Sequence, residues 1–175
     1  YFDHAGLYAF GRQPEALHWN CGQFAVALRA LADAPPLIAA LERFGDLYMA
    51  AVGRRWCWRL GVESRGPDAD GRIVAACEKQ LTHSGVQPDL FFHRHRGGRG
   101  AEGELSDALR DYVPLPADHP YWSHEQPETM LIEEVEEIWS AIDQRDDWTP
   151  LEEKVAALRR MGEAHGPAPC PAGHA

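Results

Sequence analysis

Residues Leu7 to Asn20 read LYAFGRQPEALHWN and run on without a break into an apolar stretch with helical spacing. Pro14 stands where the first turn of a helix tolerates a missing backbone N–H, and Leu17, Phe24, Leu28 and Leu31 then recur along one helical face. The spacing predicts a long helix. Ahead of it, the aromatic and glycine-containing residues Tyr1 to Arg12 hold no sustained period and read as an ordered loop in which Gly6 and Gly11 permit bends. The chain opens on Tyr1 rather than Met, and the expectation drawn from this is that the 175 residues are the later part of a longer polypeptide.

Working outward, the same signals repeat. Asp33-Ala34-Pro35-Pro36 ends the first helix, and Leu37, Ile38, Leu41 and Phe44 mark a short second one. From Asp46 to Leu60, Leu47, Val52, Trp56 and Leu60 carry a third helix, with Gly61 where helices stop in a left-handed conformation. Asp68 or Asp70 is placed to cap a helix bearing Ile73, Val74, Cys77 and Leu81 and closed by Ser84-Gly85. A short helix follows over Pro88 to His95. Gly97 to Gly103 has too little apolar surface to pack and reads as a mobile loop. Leu105, Leu109 and Tyr112 mark a small helix, and the Pro-rich crossing from Pro114 to Pro127 is anchored by Tyr121 and Trp122. Met130 to Ile142 reads as a helix with Met130, Ile132, Val135, Ile138, Trp139 and Ile142 turned inward. Thr149-Pro150-x-Glu152 reads as the capping box of a last helix to Met161. The fold class is mainly α.

A formal charge of -10, from 17 basic and 27 acidic residues, sets up a field that repels phosphate backbones and anionic lipid heads, so nucleic acid is not an expected partner. No apolar run reaches the ~20 residues of a membrane-spanning helix. Cys21, Cys57, Cys77 and Cys170 form no C-x-x-C pair, which fits reduced thiols and a cytoplasmic setting.

The candidate chemistry is sparse. His93 and His95, with His119 and His124, offer imidazoles for a metal, but Arg94, Arg96 and Arg99 crowd the same patch, and an exposed helix end is the preferred reading. Asp143, Asp146 and Asp147 lack the glycine and terminal glutamate of a calcium loop. Glu133, Glu134, Glu136 and Glu137 are assigned to the solvent face of their helix, where carboxylates keep ordinary pKa values. No phosphate loop, nucleophile elbow or H-E-x-x-H motif occurs. On these grounds no catalytic, cofactor-binding or metal-binding residue is assigned.

The block Tyr8-Ala9-Phe10-Gly11-Arg12-Gln13-Pro14, followed by His18-Trp19-Asn20, resembles a signature of selenoprotein O and its bacterial YdiU relatives. Leu41-Glu42-Arg43-Phe44, Leu47-Tyr48, Arg59-Leu60-Gly61, Ser84-Gly85-Val86, Phe91-Phe92, Trp139 and Asp146-Asp147-Trp148 follow in that family's order. Two positions depart from it: Leu7 stands where many relatives have Arg, and Cys21 where they have Leu. The surroundings of Cys170 do not match the family's C-terminal selenocysteine or cysteine.

The resemblance implies a protein-kinase-like fold that transfers AMP from ATP, with Mg2+, to hydroxyl side chains of protein substrates. It places the residues for ATP and Mg2+ upstream of this chain, which would be the helical C-lobe-like portion. Residues 1–12 would then end an activation-segment-like loop, 13–163 form the helical lobe with a family-specific extension, and 164–175 a frayed tail. Gln13, Pro14, Trp19 and Asn20 are the structural signature, with Trp19 expected to bury its ring and the two amides to satisfy loop backbone. The alternative is a stand-alone helical protein-interaction module without catalysis.

Overall fold

This computed structural model describes residue 6 and residues 9–169, and the described residues form eight α-helices, five of them with a proline in the first turn. Among the described residues there is no strand, only an isolated antiparallel bridge between Val62 and Pro114. Leu7, Tyr8 and residues 170–175, the latter half of the expected tail with Cys170, lie outside the described residues. The chain divides into two units, residues 1–51 and 52–175.

The first unit holds α1 (Gln13–Leu28), α2 (Ala34–Glu42) and the beginning of α3 (Phe44–Leu60). A 3-10 turn, Phe10–Arg12, leads into α1, whose opening turn carries the proline. Asp33 is extended ahead of α2, and the prolines again fall in the first turn, where their missing N–H groups cost nothing. None of the described side chains in this unit is buried.

The second unit contains the core. Cys57 and Leu60 at the end of α3, Ile73, Ala76 and Cys77 of α4 (Pro67–Ser84), Phe91 and Phe92 of α5 (Pro88–Arg94), and Leu105 and Leu109 of α6 (Gly103–Leu109) form one apolar cluster with Val62 and Tyr112. Each large side chain taken fully out of water here contributes about 2 kcal/mol. Gly61 ends α3 with φ +66 and turns the chain so that its carbonyl accepts from Leu115 N at 2.8 Å while Glu63 N donates to Val113 O at 2.9 Å. Gly85 closes α4 in the left-handed conformation, as its sequence position predicts. A smaller cluster gathers Tyr121 and Trp122 from the 3-10 turn Pro120–Ser123 against Met161 and Ala164 of α8 (Thr149–His165), the anchored crossing that was expected.

Several local expectations are corrected. α4 starts at Pro67, so Asp68 and Asp70 lie inside its first turn rather than capping it. The Gly97–Gly103 loop is anchored at its base: Arg96, in the turn Arg96–Gly98, is 2% exposed and its guanidinium stacks 4.3 Å over Trp122. α7 (Ile132–Arg145) has the predicted apolar stripe, yet Ile132 is 63% and Trp139 62% exposed, and only Ala141 is buried. At α8, Thr149 is the first helical residue rather than the cap, and its N–H is satisfied by the Asp147 carboxylate at 3.1 Å.

Candidate functional site

The signature residues all fall on the first two turns of α1. Pro14 is half-buried, and Arg12 pairs with Glu15 across one turn, tying the entering loop to the helix. One turn on, His18 stacks on Phe44 with ring centroids 4.8 Å apart. Trp19 does not bury its ring: it is 65% exposed, and Gln13 and Asn20 are exposed beside it. The scaffold role expected of these side chains is therefore not carried by burial within this unit. The helical spacing located them correctly on the helix but carried no information on what covers them.

The four candidate imidazoles do not converge on a metal. His93 is 6% exposed, which corrects its reading as part of an exposed helix end. Its Nε2 donates to the His124 carbonyl at 2.8 Å, and it packs against Tyr121 and Trp122. His95 donates through Nδ1 to the Arg99 carbonyl, and His119 Nδ1 accepts from Tyr121 N at the start of the Pro120 turn. Among the described residues no group of three or more His, Cys, Asp or Glu side chains is placed to hold a metal ion. No step through a metal is derived for this chain.

Asp70 is the strongest polar node. It is 1% exposed and accepts from Ser64 Oγ at 2.5 Å, from Arg65 N at 3.0 Å and from Tyr112 Oη at 2.9 Å. Burial alone would push its pKa up, but the bonds from Ser64, Arg65, Tyr112 and Cys57 outweigh burial and hold it below the ordinary carboxylate value. The neighbouring groups move the other way. Burial, with Asp70 alongside, pushes up the Cys57 thiol and the Tyr112 phenol, and burial pushes Cys77 up to about 12. These thiols are inert packing groups rather than nucleophiles. The sequence signal for Asp70 was present: it falls in phase with Ile73, Val74 and Cys77, so a carboxylate sits on the apolar stripe of α4.

Of the acidic candidates, Glu134, Asp146 and Asp147 make structural contacts, while Glu133, Glu136, Glu137 and Asp143 are exposed. Glu134 is not on the solvent face: its carboxylate accepts from Thr129 Oγ1 and Leu131 N and pairs with Lys154 Nζ at 2.8 Å, while Lys154 also reaches Glu128. The hydrogen bond from Lys154 leads the causes that lower the Glu134 pKa. Asp146 takes a left-handed conformation at the end of α7 and accepts from Trp148 Nε1. At the C-terminal end of α8, His165 lies among Trp58, Tyr121 and Trp122. Burial first, then Arg96, Arg59, His93 and Arg55, lowers its pKa to about 4, so it is neutral at pH 7. The cavity beside it, lined by Asp89, His93 and Glu128, measures about 20 Å3, room for one water rather than a substrate.

In the first unit, by contrast, a groove of about 470 Å3 opens between α1, α2 and the start of α3, and its walls are almost wholly apolar. Comparison with known proteins bears on the whole first unit. A family model described as protein adenylyltransferase SelO matches residues 1–104. The chain belongs to the SelO family. Curated relatives named protein nucleotidyltransferase YdiU include one from Xanthomonas campestris pv. campestris, 45% identical over 128 residues, covering 73% of this chain and 20% of the relative. Others come from Gloeobacter violaceus, 25% identical over 91% of this chain and 38% of the relative, and Trichodesmium erythraeum, 27% identical over 86% and 37%. This SelO-family chain thus spans about two fifths of the length of the latter two relatives. No solved structure matches it.

Proposed function

We propose that the chain is the helical C-lobe-like portion of a SelO-type protein adenylyltransferase of kinase-like fold, whose nucleotide site is built from residues outside these 175. The observation that carries this reading is the family match over residues 1–104, which takes in the Gln13-Pro14 and Trp19-Asn20 block together with α1 to α5. The proposed reaction moves AMP from ATP to a hydroxyl of a protein substrate: the hydroxyl oxygen bonds to the α-phosphorus, pyrophosphate leaves, and a base takes the proton. Such a transfer needs a cation against the phosphate charge and a positioned base. The buried groups of this chain are locked instead. Asp70 is held by its donors, and His165 faces a cavity the size of one water. Its role in the reading is to support an upstream site, and the free thiols Cys21, Cys57 and Cys77 agree with a cytoplasmic setting.

Titration calorimetry with ATP and Mg2+ tests the division of labour. The 175-residue chain is expected to give no binding heat, whereas the polypeptide extended upstream in its own reading frame binds. Magnesium-dependent binding by the short chain at micromolar ATP contradicts the reading. The interaction-module alternative draws on the exposed Trp19 and Phe24 of α1, and it is favoured if the extended polypeptide also fails to bind ATP.

A further inference from the structure

The first unit is unfinished as a folding unit. None of its described side chains is buried, and Phe24 is 65%, Leu47 54% and Leu17 51% exposed. A unit of 51 residues is marginal as an independent fold, and with no described side chain buried it calls for a staple or a partner surface. Of its exposed large apolar residues, Phe24 and Leu47 line one groove of about 470 Å3, while Leu17, Trp19, Val26, Leu31, Ile38 and Met49 lie outside it. The half-buried Leu28 of α1, Leu37 and Leu41 of α2, and Phe44 of α3 complete its walls.

We propose that this groove seats an apolar helix of the same polypeptide, contributed by residues upstream of Tyr1; the inference rests on the reading of the chain as the later part of a longer family member. Three observations select that occupant. First, the lining pairs Phe24 with Leu28 and Leu37 with Leu41 at a spacing of four, the rows into which the ridges of another helix pack. Second, no lining residue is charged, so an acidic or basic peptide finds nothing to pair with, and an apolar one loses nothing on entering. Third, the family model includes the whole first unit, while relatives matched over 86–93% of this chain use only 37–40% of their own length for it. The larger part of each such polypeptide is available as the cover. A second copy of this chain is a poorer occupant, because each copy brings a net charge of -10.

Cys21 reports on the groove directly, since it is exposed and lines one wall. With Cys170→Ser as background, alkylation of Cys21 by N-ethylmaleimide is compared between the 175-residue chain and the polypeptide extended upstream in its own reading frame. Cys57 and Cys77, 1% and 0% exposed, are the unreactive references. The proposal expects the extended protein to react at least about tenfold more slowly at Cys21, as a monomer by light scattering, because reaction then waits on local opening. Phe24→Asp, inside the groove, restores the fast rate, and Val26→Asp, exposed but outside the lining, does not. Equal rates in the two forms overturn the proposal, as does protection that appears only with a dimer mass, or a stop codon just ahead of Tyr1. The readout is independent of catalysis: an extended protein that protects Cys21 but transfers no AMP refutes the activity reading alone, and one that transfers AMP with Cys21 reactive refutes the groove assignment alone.

Discussion

At the scale of single residues, Asp70 decides more than any other side chain described here. Its carboxylate gathers a hydroxyl, a backbone N–H and a phenol from Ser64, Arg65 and Tyr112, and Gly53 of α3 lies so close that an added Cβ would sit 2.8 Å from the Asp70 Cβ. Removing the carboxylate leaves several buried donors unsatisfied at once, whereas removing one donor leaves the rest in place. Asp70→Ala is therefore expected to lower the unfolding free energy by about 3 kcal/mol, and Tyr112→Phe by about 1 kcal/mol, in urea titrations at pH 7. Equal small losses from both would show that the node is not cooperative. Sequence reading found the residue and misplaced its task, because an Asp near a helix start is read as a cap unless its phase with Ile73 and Cys77 is followed. Arg96 was missed for a related reason. Its position among glycines marked a loop, and nothing local shows that its guanidinium reaches the Trp58 carbonyl at 2.9 Å and the face of Trp122.

At the scale of elements, helix existence and register were legible and helix environment was not. Gly61 and Gly85 end α3 and α4 as their left-handed preference requires, and Pro14, Pro35 and Pro36 sit in first turns. The stripe on α7 was equally readable, but a period says only which residues share a face, and Trp139 shows that sharing an apolar face does not supply a partner for it. The end of α8 offers a test through pH. His165 has its pKa lowered from 6.5 to about 4 in the folded chain, so the unfolded chain binds a proton in that interval that the folded one does not. The stability this gives is complete above pH 6.5 and is lost as pH falls toward 4. Asp70 acts in the same sense at lower pH, because its lowered pKa gives stability that disappears as pH drops below the ordinary carboxylate value of 3.8. Urea midpoints should therefore decline in two stages on acidification, and His165→Phe should remove the upper one. An unchanged upper stage in that variant would show that His165 is not the group responsible.

At the scale of the whole molecule, the net charge of -10 argues against a phosphate-backbone partner, and among the described residues no helix is long and apolar enough to cross a membrane. Family membership was readable too, from the order of short blocks beginning at Tyr8. What no helical period in these residues carries is the identity of whatever covers the first unit, or the origin of the groups that hold nucleotide. On the proposed reading both lie outside the 175 residues. They leave one expectation that separates a supporting lobe from an enzyme: the chain should need the rest of its polypeptide to act. The direct measurement is transfer of AMP, followed with ATP labelled at the α-phosphate, by the 175-residue chain and by its upstream-extended form side by side. Label entering protein only with the extended form is the predicted result; label transferred by the 175 residues alone would contradict the account.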